Sequence, residues 1–200
     1  MKTALKTAPA TYPVTLKQAK EHCNITIGWT EDDNVLQALI VTATKKAEQY
    51  LRRRLITQTW YAYYDAWPRG EDAFILPFGQ LQTSTAPIIT YTETDGTANT
   101  WAATDWNADV AADPGRIVLE YGYTWPTETL HPQNPIKIEF VCGYGDAGSD
   151  VEDMIIHAIK IMIDDLYNNR GDVLVGITSQ NLKAVGDLLM PYRLHNVVTQ

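Results

Sequence analysis

The chain has 200 residues, 45% hydrophobic and 20% charged, enough to bury a sizeable core as one large domain or two small ones. Its 16 Lys and Arg against 24 Asp and Glu give a formal charge of −8. That balance excludes a bulk electrostatic grip on nucleic acid, which needs clustered cations, but not a protein that DNA merely passes. Cys23 and Cys142, far apart and without metal-ligand spacing, are expected to be reduced, partly buried thiols rather than a disulfide. Lys2 and Lys6 precede no apolar run, and the most apolar stretch, 154–163, is broken by His157 and Lys160. Neither a leader nor a membrane span is expected, and a soluble intracellular protein is the default.

The hydrophobic rhythm switches twice: helical before residue 56, strand-like to about 142, then helical again. Residues 1–12 are polar and aperiodic and are expected to be a loose arm, as are residues 194–200. Thr15-Leu16-Lys17-Gln18 has the form of a capping box opening a short helix that ends near His22. After a connector at 24–29, Thr30-Glu31-Asp32-Asp33 places acidic groups at a second helix start. The stripe Val35, Leu36, Leu39, Ile40, Ala43, Ala47, Tyr50 and Leu51 holds helical spacing through that element. Arg52, Arg53 and Arg54 crowd its end. They are read as solvated charges complementing the helix C-terminus, with an anion or DNA contact as the alternative.

From Gln58 the pattern is β. Trp60, Tyr61, Tyr63 and Tyr64 favour a strand, ended by Pro68-Arg69-Gly70. Alternation puts Trp60, Ala62 and Tyr64 on one face and Tyr61, Tyr63 and Trp67 on the other. Short strands are predicted over 73–76, 87–92 and 116–121, with Asp95-Gly96 as a hairpin turn and Asp113-Pro114-Gly115 as another turn. Residues 135–142 alternate cleanly, with Ile136, Ile138, Phe140 and Cys142 on one side. Ser149-Asp150-Val151-Glu152 reads as a third capping box. The second long stripe is Met154, Ile155, Ala158, Ile159, Met162, Ile163, Leu166 and Tyr167, terminated over 168–171. A last short helix carries Leu182, Val185, Leu188 and Leu189 inward, with Pro191 near its end.

No chemistry stands out among these residues. His22 and Cys23 are adjacent on a helix and point apart, so they do not form a nucleophile–base couple. His131, His157 and His195 are expected to stand singly. Asp105, Asp109 and Asp113 lack the order of a calcium loop and read as solvated carboxylates. Gly143-Tyr144-Gly145 lacks the lysine or third glycine of a phosphate cradle and reads as a strand exit. No catalytic residue, metal site or cofactor is assigned. The six Trp and eleven Tyr suit burial in a core or against a neighbouring subunit, with a sugar-stacking platform as the alternative.

Several motifs occur in a telling order. Pro13-Val14-Thr15-Leu16 and Ala19-Lys20 lead to an acidic helix start and Leu55-Ile56-Thr57-Gln58-Thr59-Trp60. Then follow Leu76-Pro77, Gln82-Thr83-Ser84, Ile89-Thr90-Tyr91, Asp95-Gly96, Gly115-Arg116-Ile117 and Trp125-Pro126. Ile136 to Phe140 runs into Gly143-Tyr144-Gly145-Asp146, and Tyr167-Asn168-Asn169-Arg170 and Leu188-Leu189-Met190-Pro191-Tyr192-Arg193 close the series. Over roughly 13–193 the chain resembles phage head–tail connector (adaptor) proteins. It departs from them in Val151-Glu152-Asp153, where a proline is frequent, and in a longer stretch over 97–113.

The resemblance implies a structural virion protein, made in the host cytoplasm and placed at the head–tail junction of a tailed phage or gene transfer agent. It implies a homo-oligomeric ring, a dodecamer, beneath the portal protein and above downstream tail or neck proteins. DNA would pass through without specific binding, and no membrane or cofactor would be involved. Tyr192, Arg193, Leu194, His195, Val197 and Val198 would dock on the portal, and Trp60, Tyr61, Tyr63, Trp67, Arg52 and Arg53 would contact neighbouring copies. The expected fold is a single α+β domain: a helical bundle from 13–56 and 150–192, with a short N-terminal helix, two long helices and a short C-terminal one, interrupted by a mostly antiparallel β insert over 57–148. The rival functions are a carbohydrate- or receptor-binding tail module using Trp60 and Trp67, and a hydrolase built on Cys23 or Cys142.

Overall fold

The computed structural model describes residues 1–69, 73–169 and 180–194, with the backbone alone for 180–182. Helices and antiparallel sheets combine in an α+β fold. The chain divides into two compact units, one of the two arrangements its length allows. One holds the described residues of Met1–Pro9, Thr57–Tyr144 and Leu194, the other those of Ala10–Ile56 and Gly145–Arg193.

The first unit is built on two sheets. Strands β1 (Lys2–Thr7), β2 (Gln58–Tyr64), β4 (Ile88–Thr92), β5 (Ala98–Thr100) and β8 (Ile136–Cys142) form a five-stranded antiparallel sheet in the order β1-β2-β8-β4-β5. Strands β3 (Phe74–Ile75), β6 (Trp106–Asp109) and β7 (Arg116–Leu119) form a second sheet in the order β3-β7-β6. Alternation fixes which face is buried. Trp60 pairs with Phe140 and Ala62 with Ile138, which also faces Ile89 of β4. Ile136, Ile138, Phe140 and Cys142 are all buried, as the period-2 pattern requires. Phe74 and Ile117 from the second sheet join the same core, with Trp101, Trp106 and Trp125. The Asp95-Gly96 hairpin joins β4 to β5, with Gly96 at φ +88°.

Two elements correct the sequence expectation. The loose arm at the N-terminus is strand β1, paired with β2 from Lys2↔Tyr63 to Thr7↔Thr59. It buries little, so its sequence carries no alternation; its attachment is backbone hydrogen bonding, and its lysines suit a sheet edge. Strand β6 lies within 97–113, where no strand is expected beyond the arm of the Asp95-Gly96 hairpin, because Asn and Asp are poor strand formers. Pairing with β7 overrides that propensity and sets Asp109 against Arg116 at 2.9 Å. The Asp109 carboxyl lies below the usual carboxylate range, chiefly through the Arg116 hydrogen bond, and Asp105 accepts from the Trp101 indole at 3.2 Å. Both carboxylates remain accessible to solvent while keeping these partners.

In the second unit, α1 (Leu16–His22) starts at the expected capping box. The Thr15 hydroxyl accepts from the Gln18 N–H at 3.2 Å, and the Thr15 N–H donates to the Gln18 amide oxygen at 2.9 Å. The long helices α2 (Asp33–Leu51) and α3 (Asp153–Asn168) pack on one another, with α1 and α4 (Gln180–Leu189) against the pair. Leu36, Ile40, Ala43, Ala47 and Leu51 meet Ile155, Ala158, Ile159 and Ile163 as buried faces. Asp32 accepts from both the Trp29 indole at 3.2 Å and the Tyr167 hydroxyl at 2.9 Å, binding the start of α2 to the end of α3. The third capping box does not form. Ser149 and Asp150 lie in a 3-10 turn (Gly148–Asp150), the Asp150 carboxylate accepts from the Ala147 N–H at 3.0 Å, and α3 starts at Asp153 without a side-chain cap. Close packing selects this turn, since a Cβ at Gly148 would fall 2.1 Å from the Pro13 carbonyl oxygen.

Candidate interaction surfaces

Catalytic chemistry finds little support in the cysteines. Both are free thiols, and Cys142 is fully buried. Burial, reinforced by the Asp164 carboxylate, pushes the Cys23 thiol up to about 11, so it stays protonated near neutrality and is a poor nucleophile. The histidines bring a correction. His22 and His157 are not isolated but meet edge to face, ring centroids 6.1 Å apart, because α1 packs on α3. Among the described residues no group of three or more His, Cys, Asp and Glu could hold a metal, and no helix is long and apolar enough to cross a membrane.

The aromatic strand divides differently from the expected alternation. Trp67 packs into the core against Phe74, Tyr91, Trp101 and Trp125, with centroids 5.4 to 5.9 Å away. Strand β2 ends at Tyr64, and the bend after it cancels the parity that put Trp67 beside Tyr61. Trp60 is half-buried on the same core side, 4.6 Å from Phe78. Neither ring stands clear of the core as an open sugar platform, although both are only partly buried. Tyr61 and Tyr63 do lie on the opposite face, where the Lys6 and Lys137 ammonium groups sit 5.6 and 5.2 Å from the Tyr61 ring.

The arginines are more engaged than a solvated cluster would be. Arg52 takes the left-handed conformation that ends α2, with φ of +58°, and is exposed. Arg53 donates to the Tyr192 carbonyl oxygen at 2.5 Å, and Arg54 pairs with buried Glu48 at 3.4 Å. Of the residues expected at the portal, Tyr192 closes a 3-10 turn (Met190–Tyr192) with its hydroxyl 3.5 Å from the Met154 sulfur. Arg193 stacks over the Tyr50 ring at 5.0 Å, and Leu194 is buried. His195, Val197 and Val198 lie outside the described residues, as does the Leu182 side chain.

Two surfaces were not foreseen. A groove of about 270 Å³ opens between α2, α3 and α4, lined by Lys46, Tyr50, Met162, Leu166, Gly186 and Leu189 among others. Met162 and Leu166 belong to the stripe read as core, but the stripe is wider than its helical neighbours cover. The second is the turn after β7, where Tyr121 is 98% exposed and Tyr123 48%. Nothing in the local sequence sets these tyrosines apart from the buried aromatics around them.

Residues 13–103 match the family described as phage gp6-like head-tail connector protein. The likeness to head–tail connectors holds. No curated protein matches the sequence, but solved neck structures match the whole fold. A chain in the neck of an empty gene transfer agent particle, computed with C6 symmetry, superposes with a TM-score of 0.79 at 20% identity, covering 100% of this chain and 99% of the other. A chain in the virion of the native particle gives 0.77 at 19%, and one in its neck computed with C12 symmetry gives 0.76 at 20%, with the same coverage. The fold shared with these neck chains therefore extends beyond the residues of the family match, through β6, β7, β8, α3 and α4.

Proposed function

We propose that this chain is a structural virion protein, a head–tail connector that forms a homo-oligomeric ring in the neck and extends the channel through which DNA passes. The observation that carries this reading is the end-to-end match to neck chains, 100% of one against 99% of the other, together with the connector family match. The protonated Cys23 and buried Cys142 favour assembly over covalent catalysis. The acidic balance suits a passage for DNA, because an adhesive cationic lining would retard it.

In this reading the ring has twelve copies and lies between portal and tail proteins. The segment from Tyr192 through Arg193, Leu194, His195, Val197 and Val198 docks on the portal. Tyr61, Tyr63 and exposed Arg52 remain available to neighbouring copies, and Arg53 supports the end of α2 through Tyr192. The test is to delete the coding sequence in a producing strain and image the particles. Filled heads lacking tails, restored by the wild-type chain and showing its density in the neck, are expected. Intact, infectious or transferring particles without the chain would refute the proposal.

A further inference from the structure

The chain carries a knob in one unit and a hole in the other. Tyr121 is the knob, held in a tight turn: the Tyr123 N–H donates to the Glu120 carbonyl at 3.1 Å, and the Glu120 N–H donates to the Asp105 carbonyl at 3.0 Å. Gly122, the third residue of the turn, has φ of +85°, the conformation a type II turn requires there. A fixed backbone thus presents an almost fully exposed ring, so little conformational freedom is lost when it is captured.

The groove between α2, α3 and α4 is the hole. At about 270 Å³ it falls just below the roughly 300–1,000 Å³ of small-molecule sites, closer to the scale of a side chain. Gly186 is informative. A Cβ added there would meet nothing nearer than the Tyr50 hydroxyl at 3.9 Å, so packing does not demand glycine in a helix that glycine weakens. Its effect is to leave the groove open. Exposed Lys46 at the edge makes no ion pair among the described residues, whereas the Asp165 carboxylate already accepts from the Asn169 amide at 2.9 Å. A knob preceded by a carboxylate therefore fits, and Glu120 supplies one.

Resting on the connector reading, we infer that Tyr121 of one copy seats in the α2–α3–α4 groove of the next, with Glu120 facing Lys46. Two different surfaces meet in such a contact, so it is head-to-tail and closes into a ring when the rotation allows. The occupant is a second copy of this chain.

A photo-reactive benzoylphenylalanine in place of Tyr121, in a mixture of light and isotopically heavy full-length chains assembled into particles, tests the contact. Mixed-isotope cross-links from position 121 to α2, α3 or α4 peptides are expected. Gly186→Met should leave the thermal midpoint unchanged or higher while cutting that cross-link at least tenfold. Lys46→Glu should weaken it similarly, with recovery when Glu120→Lys is added. Cross-links confined to one copy, directed to another protein, or absent from normally formed rings would overturn the inference while leaving the connector reading intact. A wild-type chain absent from the neck would sink both.

Discussion

Lys20 is a buried cation, 3% exposed, whose ammonium group donates to the carbonyls of Ile27 and Trp29 at 3.2 and 2.6 Å and pairs with Asp33. One side chain thereby ties α1, the following loop and the first residue of α2. Lys20→Met keeps most of the apolar stem but strands two carbonyls and a carboxylate. Such a loss costs about 3 kcal/mol when the pair is buried, or about 10 °C in thermal midpoint for a chain of this length. Urea unfolding showing less than about 1 kcal/mol would disprove this role. Cys23 gives a second residue-scale prediction. Its pKa in the fold, about 11, lies above the ordinary 9, so any stability linked to the neutral thiol is complete below pH 9 and lost as pH rises toward 11. Alkylation of Cys23 should still be accelerating at pH 10, and Cys142 should react only on unfolding. Asp164→Asn should lower the inflection only part of the way, because burial is the larger cause.

At the scale of elements, the α2-to-β2 connection turns on Glu48. Its carboxylate accepts from the Leu55 N–H at 3.0 Å and pairs with Arg54, while its carbonyl accepts from the Arg52 and Arg53 N–H groups that end the helix. Glu48→Gln keeps an acceptor for Leu55 and should cost about 1 kcal/mol, whereas Glu48→Ala should cost about 2–3, measured by urea unfolding. Strand β1 guards the other side of that connection. Removing residues 1–9 should expose the β2 edge, with its run of Trp60, Tyr61, Tyr63 and Tyr64, and produce concentration-dependent aggregation in light scattering. What the sequence revealed of these elements follows from how local their causes are. The Thr15–Gln18 box and the β8 alternation are set by neighbours within a few residues, so they were legible. Strands β1 and β6 exist through partners distant in the chain, and the inward turn of Trp67 depends on a bend that parity cannot foresee. The groove was hidden for a related reason: a helical stripe says which residues avoid water, not whether a neighbour covers all of them.

At the scale of the whole molecule, charge is unevenly shared and opposes crowding. The residues Met1–Pro9, Thr57–Tyr144 and Leu194–Gln200 contain 5 Lys and Arg against 11 Asp and Glu, so this unit accounts for −6 of the total −8. Two copies of charge −8 at about 40 Å, a generic spacing for chains of this length, repel by about 7 kcal/mol in unscreened water. Screening leaves about 2 kcal/mol of that at 0.01 M salt and almost none at 0.15 M. A surface pair such as Lys46 with Glu120 contributes at most about 1 kcal/mol and is screened in the same range. The long-range repulsion is therefore the larger salt-sensitive quantity, and self-association should strengthen as salt rises from 0.01 to 0.15 M. Sedimentation velocity across that range would detect it, and dissociation on adding salt would show that ion pairs dominate instead. The same excess of carboxylates predicts no retardation of duplex DNA in a gel at about 0.05 M salt, where a cationic channel protein would bind. Both results follow from one property, an excess of carboxylates that keeps copies apart until salt screens them and gives duplex DNA nothing to bind.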